Sequence, residues 1–107
     1  MRRYGMVIKV KPEKFEEYKR LHAAVWPEVL AMIRECHIRN YSIFHRDGYL
    51  FAYFEYHGED FAADMAKMAA DPATQRWWAL CNPCQEPLPT CAPGEWWAEM
   101  EEVFHTD

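Results

Sequence analysis

The sequence predicts one α+β domain with the element order βαββααβ, and three observations carry that expectation. A long stretch opened by Pro12 repeats its apolar residues at helical spacing. Two strand-like runs are joined through Arg46-Asp47-Gly48. The second of those runs is apolar on both faces, as in a sheet covered on both sides. The chain has 107 residues, of which 50% are hydrophobic and 16% aromatic. That suits a single small domain, residues 1–107, with one core, and not a disordered segment.

Tyr4 to Lys11 reads as a first strand, with Met6, Ile8 and Val10 on one face. From Pro12, Phe15, Tyr18, His22, Val25, Trp26, Val29, Met32, Ile33 and Cys36 share one broad helical face, with charged residues opposite. Pro27 lies inside this pattern and predicts a kink or break, because its ring leaves the carbonyl of Ala23 without its usual partner. Ile38 to His45 and Tyr49 to His57 read as the two central strands. Leu50, Ala52, Phe54 and Tyr56 alternate with Tyr49, Phe51 and Tyr53, so helices can cover only one apolar face. A second subunit is the economical cover for the other. Glu59 to Ala70 reads as a helix, and Asp71-Pro72 starts another that runs to about Leu80. The proline-rich Asn82 to Gly94 reads as a loop, and Trp96 to Phe104 as a last strand with a bulge at Glu101-Glu102.

The formal net charge of -5, with no lysine or arginine run, argues against nucleic acid and anionic membrane surfaces as partners. No apolar run approaches the ~20 residues that span a bilayer. No export signal is visible at the N-terminus, so the expected compartment is the cytoplasm and the four cysteines are expected as free thiols. Cys81-Asn82-Pro83-Cys84 lacks the second pair that zinc sites use and closes a helix where redox motifs open one; ordinary loop thiols are the expectation.

Three places carry candidate chemistry. His22 sits on the apolar stripe one turn after Tyr18, so both point to the same side. Such a histidine is commonly a core residue satisfied by a backbone carbonyl. It also titrates near physiological pH and suits general acid-base work. Gln75-Arg76-Trp77-Trp78 places two indoles on consecutive helical positions, about 100° apart. They cannot share one core slot, so one of them is expected to line a pocket, where a flat ring can carry the C–H face of a sugar. Trp96-Trp97 is expected on a strand, one ring inward and one toward a subunit contact.

Tyr18, His22, Val25-Trp26-Pro27-Glu28-Val29, Asn40-Tyr41, Gln75-Arg76-Trp77-Trp78 and Glu101-Glu102-Val103-Phe104 together resemble the L-rhamnose mutarotase family over essentially the whole chain. The resemblance implies a ferredoxin-like subunit that pairs into a dimeric α/β barrel. It implies a sugar, L-rhamnose, bound by Tyr18, Tyr41, Trp77 and Trp78, with His22 as the proton donor. Interconverting anomers is proton transfer alone, so no cofactor or metal is expected. His22 is expected to protonate the ring oxygen as imidazolium and to recover the proton on closure. The rival expectation is a dimeric-barrel monooxygenase or a ligand-binding protein, which the fold by itself does not separate.

Overall fold

Alternation along β1 (Arg2–Val10) decides which side of the sheet becomes core: Tyr4, Ile8 and Val10 are buried and the residues between them less so. In the computed structural model, which describes residues 1–107, β1 lies within a five-stranded sheet whose pairings are all antiparallel. On one edge it pairs with β3 (Tyr49–Tyr56), and β2 (Ile38–Arg46) lies beyond β3. On its other edge it pairs with two short strands, β4 (Gln85–Glu86) at Lys9 and Val10, and β5 (Ala98–Met100) at Gly5 to Val7. The β2–β3 turn has Asp47 and Gly48 at φ 52 and 80, the left-handed pair that a two-residue hairpin requires.

The helical stretch that follows β1 is divided as Pro27 demands. A 3-10 turn, Pro12–Lys14, leads into α1 (Phe15–His22), and α2 (Pro27–Glu35) restarts with Pro27 at its first position. Trp26, preceding the proline, is extended at φ -62 and ψ 138. The break therefore leaves His22 as the last residue of α1. Helices α3 (Phe61–Ala70) and α4 (Pro72–Cys81) are capped by Asp60 and Asp71, whose carboxylates accept from the Ala63 and Thr74 amides. Such caps each contribute about 1 kcal/mol. Ile8, Val10, Leu50, Tyr18, Val29 and Trp77 form one buried cluster between sheet and helices. No helix is long and apolar enough to cross a membrane.

Four sequence expectations need correction. The segment from Asn82 is not all loop: a 3-10 turn, Asn82–Cys84, leads into β4, held by the Lys11 amide donating to the Cys84 carbonyl at 2.8 Å. The last strand is shorter than Trp96 to Phe104. It ends at Met100, so Glu101-Glu102 forms no bulge; Glu102 instead pairs with Arg3 at 3.0 Å. Trp96 and Trp97 lie in a bend ahead of β5 and not on a strand. Cys81 and Cys84 are 4% and 1% exposed, core thiols instead of loop thiols, because the helix end that carries them packs into the main cluster.

A bulge appears where none was expected. Arg39 faces Glu55 and Ser42 faces Tyr53, so Asn40 and Tyr41 together oppose Phe54. Asn40 holds the left-handed conformation at φ 52, and its Nδ2 donates to the Glu55 carboxylate at 2.9 Å. Strict alternation from buried Ile38 would turn Tyr41 away from the helices. The extra residue brings it onto their side, where its ring lies 5.4 Å from that of Phe54. Asn40→Gly should keep this backbone and unfold near the wild-type urea midpoint. Asn40→Val, a β-branched residue forced to positive φ, should lose about 1–3 kcal/mol. Equal midpoints for the two variants would contradict this account of the bulge.

Candidate active site

One helical turn sets the centre of the site. Spacing by four residues on α1 brings the Tyr18 and His22 rings into a stack, 4.2 Å between centroids. The same turn puts His22 Nδ1 at 2.9 Å from the Tyr18 carbonyl oxygen. A carbonyl only accepts, so Nδ1 carries the hydrogen and Nε2 is left with the lone pair. One nitrogen of this histidine is therefore satisfied by backbone, and the other has no protein partner. Burial lowers the imidazole below its ordinary 6.5, and the bond to the Tyr18 carbonyl offsets part of that. At neutral pH the resting form is thus imidazole.

Helix α4 contributes the wall. Trp77 is 5% exposed and meets the His22 ring edge-on at 5.3 Å, with Trp26 against it at the same centroid distance. Its indole N–H has no protein partner, yet no buried side-chain nitrogen or oxygen is left unpartnered, so that N–H reaches solvent. Trp78, one position on, is 37% exposed and stays outside the aromatic cluster. The two consecutive indoles do occupy two environments, as their angular separation requires. A groove of ≈ 350 Å³, lined by Glu17, Arg20, Leu21, Ala24, Trp26 and Trp77, runs along the neighbouring flank of α1. It meets the cluster at Trp26 and Trp77, and His22 is not among the residues that line it.

Tyr41 enters from the sheet. As a residue it is 39% exposed, but its hydroxyl lies inward, where burial pushes the phenol up to about 12, with a further contribution from Cys81. The Tyr18 phenol is raised still more, first by burial and then by Tyr41 close by. Both are therefore neutral hydrogen-bonding groups across the working pH range. Tyr18, His22 and Trp77 are in contact, Tyr41 lies close to Tyr18, and Trp78 is exposed one position on from Trp77. No group of three or more His, Cys, Asp or Glu side chains is placed to hold a metal ion. His37, His45 and His57 are exposed and engaged elsewhere: His37 with Asp64, His45 stacked on Phe15, His57 with Glu55.

Sequence reasoning missed Gln85. It is 5% exposed on β4 and donates from Nε2 to the Tyr18 hydroxyl at 3.2 Å, while its Oε1 accepts from Trp96 Nε1 at 2.7 Å. The proline-rich surroundings that mark a loop concealed a two-residue strand, and no periodicity could reveal it.

The chain is similar over its whole length to known proteins. The family model described as L-rhamnose mutarotase matches residues 3–106. The chain is 33% identical over 109 residues to the L-rhamnose mutarotase of Oceanobacillus iheyensis, covering 100% of both chains. It is 40% identical over 92 residues to the L-fucose mutarotase of Xanthomonas campestris, covering 82% of this chain and 73% of that one. Among solved structures, L-rhamnose mutarotase from Formosa agariphila superposes with a TM-score of 0.77 at 21% identity, with 100% of both chains covered. Tetracenomycin F2 cyclase from Streptomyces glaucescens follows at 0.72 and 14% identity, with 100% and 98% covered. The subunit thus has the ferredoxin-like α+β fold of dimeric α/β barrel proteins.

The thiols beside the site carry a testable consequence. Burial pushes Cys81 up to about 12, with Cys84 adding to it, and burial raises Cys84 as well. Thiolate is the reactive form, so both should resist alkylation in the native protein. Iodoacetamide followed by peptide mass mapping should find the partly exposed Cys91 modified first, and Cys36, Cys81 and Cys84 only after unfolding. Rapid native labelling of Cys81 would contradict the packing described.

Proposed function

The chain belongs to the L-rhamnose mutarotase family, and from that premise we propose that it interconverts the α and β anomers of L-rhamnose at the cluster built around His22. The observation that carries the proposal is the free Nε2 of His22, whose ring stacks on the buried Tyr18 phenol and meets the Trp77 indole edge-on. The reaction opens a hemiacetal, lets C1 turn its other face, and closes it again. The anomeric oxygen and the ring oxygen are both bonded to C1, so one positioned nitrogen can serve both.

Neutral His22 accepts the anomeric hydroxyl proton at Nε2 while the bond from C1 to the ring oxygen breaks. The imidazolium so formed protonates the departing ring oxygen, which makes His22 the general acid of ring opening. Its lowered pKa makes the imidazolium a stronger proton donor than an ordinary histidine. Closure runs the same transfers in reverse on the other face of the aldehyde. Tyr18 and Tyr41 hold sugar hydroxyls, Trp77 forms the wall beside His22, and Trp78 forms the rim. The cycle needs no redox or group-transfer cofactor, since no electrons or groups leave the sugar.

Magnetisation exchange between the anomeric proton signals of L-rhamnose reads this activity directly. Wild type should accelerate exchange, and His22→Asn should lose about 10²–10⁴-fold of that acceleration. Because the resting imidazole is the form that starts the cycle, kcat/KM should be level near neutral pH. It should fall on acidification below 6.5, as His22 becomes protonated. A rate that climbs on acidification would mean that imidazolium starts the cycle. The kinship with an L-fucose mutarotase makes L-fucose the necessary competitor in the sugar panel. Oxygen-dependent consumption of substrate would point to a monooxygenase instead.

The open face of the sheet supports a homodimer. Phe44 is 66% exposed there, beside exposed Tyr49 and Phe51, and apolar rings grouped in this way mark an interaction surface. Sedimentation should find a dimer in wild type and a monomer in the double variant Phe44→Glu, Phe51→Glu. A monomeric wild type would contradict this part of the proposal.

A further inference from the structure

Gln85 and Thr74 are the two buried polar residues of this chain. Thr74 is accounted for, since its amide and hydroxyl both donate to the capping Asp71. Gln85 instead joins the bend before β5 to the ring stacked on His22. Its orientation follows from donor chemistry: an indole N–H can only donate, so the 2.7 Å contact from Trp96 Nε1 requires the amide oxygen at that end. The amide nitrogen therefore faces the Tyr18 hydroxyl at 3.2 Å and donates to it. Backbone pairing of Gln85 with Val10 keeps the bridge in register with the sheet.

We propose that Gln85 is a positioning residue that makes Tyr18 a hydrogen-bond donor to the substrate. This rests on the reading of the cluster as a sugar site. With a lone pair of its oxygen taken by Gln85, and with no protein acceptor for its own hydrogen, Tyr18 directs its O–H away from the bridge. The partner it suits is an acceptor oxygen of a polyhydroxylated ring, met at the edge of the phenol beside the Tyr18–His22 stack. The polarity runs from Trp96 to Gln85 to Tyr18 to the sugar. Tyr18 stays protonated because burial raises its phenol far above neutral.

Two substitutions of matching size separate this from simple packing. In Gln85→Met the bridge disappears, but the phenol hydrogen remains free for the sugar. In Gln85→Glu the carboxylate accepts at both ends, so it draws the Tyr18 hydrogen away from the sugar. Anomeric exchange should show KM for L-rhamnose raised about threefold in Gln85→Met and about tenfold or more in Gln85→Glu, the scale of one hydrogen bond, with kcat changed far less. A Gln85→Glu KM no higher than that of Gln85→Met would overturn the proposal. Trp96→Phe releases the amide to flip without touching the buried position. It should raise KM about two- to fivefold at nearly constant kcat, and an unchanged KM would also overturn the proposal. Failure of the wild type to accelerate exchange of any sugar would instead sink the mutarotase reading. The bridge is then judged without ligand, by hydrogen exchange of the Trp96 indole N–H. It should be slow in wild type and Gln85→Glu and fast in Gln85→Met, and equal exchange in all three would overturn the bridge.

Discussion

The hydrogen bond from His22 Nδ1 to the carbonyl one turn behind it is the constraint on which the candidate site depends. It costs the fold nothing extra, because that carbonyl has a second lone pair beyond the one its helix uses. It settles which nitrogen carries the hydrogen and leaves the other without a protein partner. Burial then keeps the ring neutral at rest, and the lost solvation makes its protonated form a ready donor. The same residue thus satisfies a structural requirement and retains a reactive face.

Two backbone irregularities bring partners to that ring. Pro27 ends α1 at His22 and lets α2 restart at a new angle, with Trp26 between them packed on Trp77. The Asn40 bulge turns Tyr41 to the helix side of the sheet. Both devices place an aromatic residue beside another ring, Trp26 on Trp77 and Tyr41 on Phe54. Local departures from ideal structure of this kind are where a fold accommodates a site.

Much of the architecture was legible because it rests on periodicity. The helical stripe from Phe15 to Cys36, the hairpin at Asp47-Gly48 and the doubly apolar β3 all read correctly from residue spacing. The angular argument on Trp77 and Trp78 also held, since one is buried and the other exposed. The illegible parts depend on contacts distant in sequence. Gln85 has meaning only through Tyr18 and Trp96, and β4 exists only because β1 offers an edge. The bulge had a readable sign, an asparagine within a strand pattern, but its consequence for Tyr41 needs the register of β3.

The central claim concerns one proton on one ring, and NMR of the imidazole nitrogens observes it directly. Long-range nitrogen–carbon-proton correlations at neutral pH should show His22 as a neutral ring with its hydrogen on Nδ1 and Nε2 unprotonated. A ring found protonated on both nitrogens at that pH, or neutral with its hydrogen on Nε2, would contradict the account.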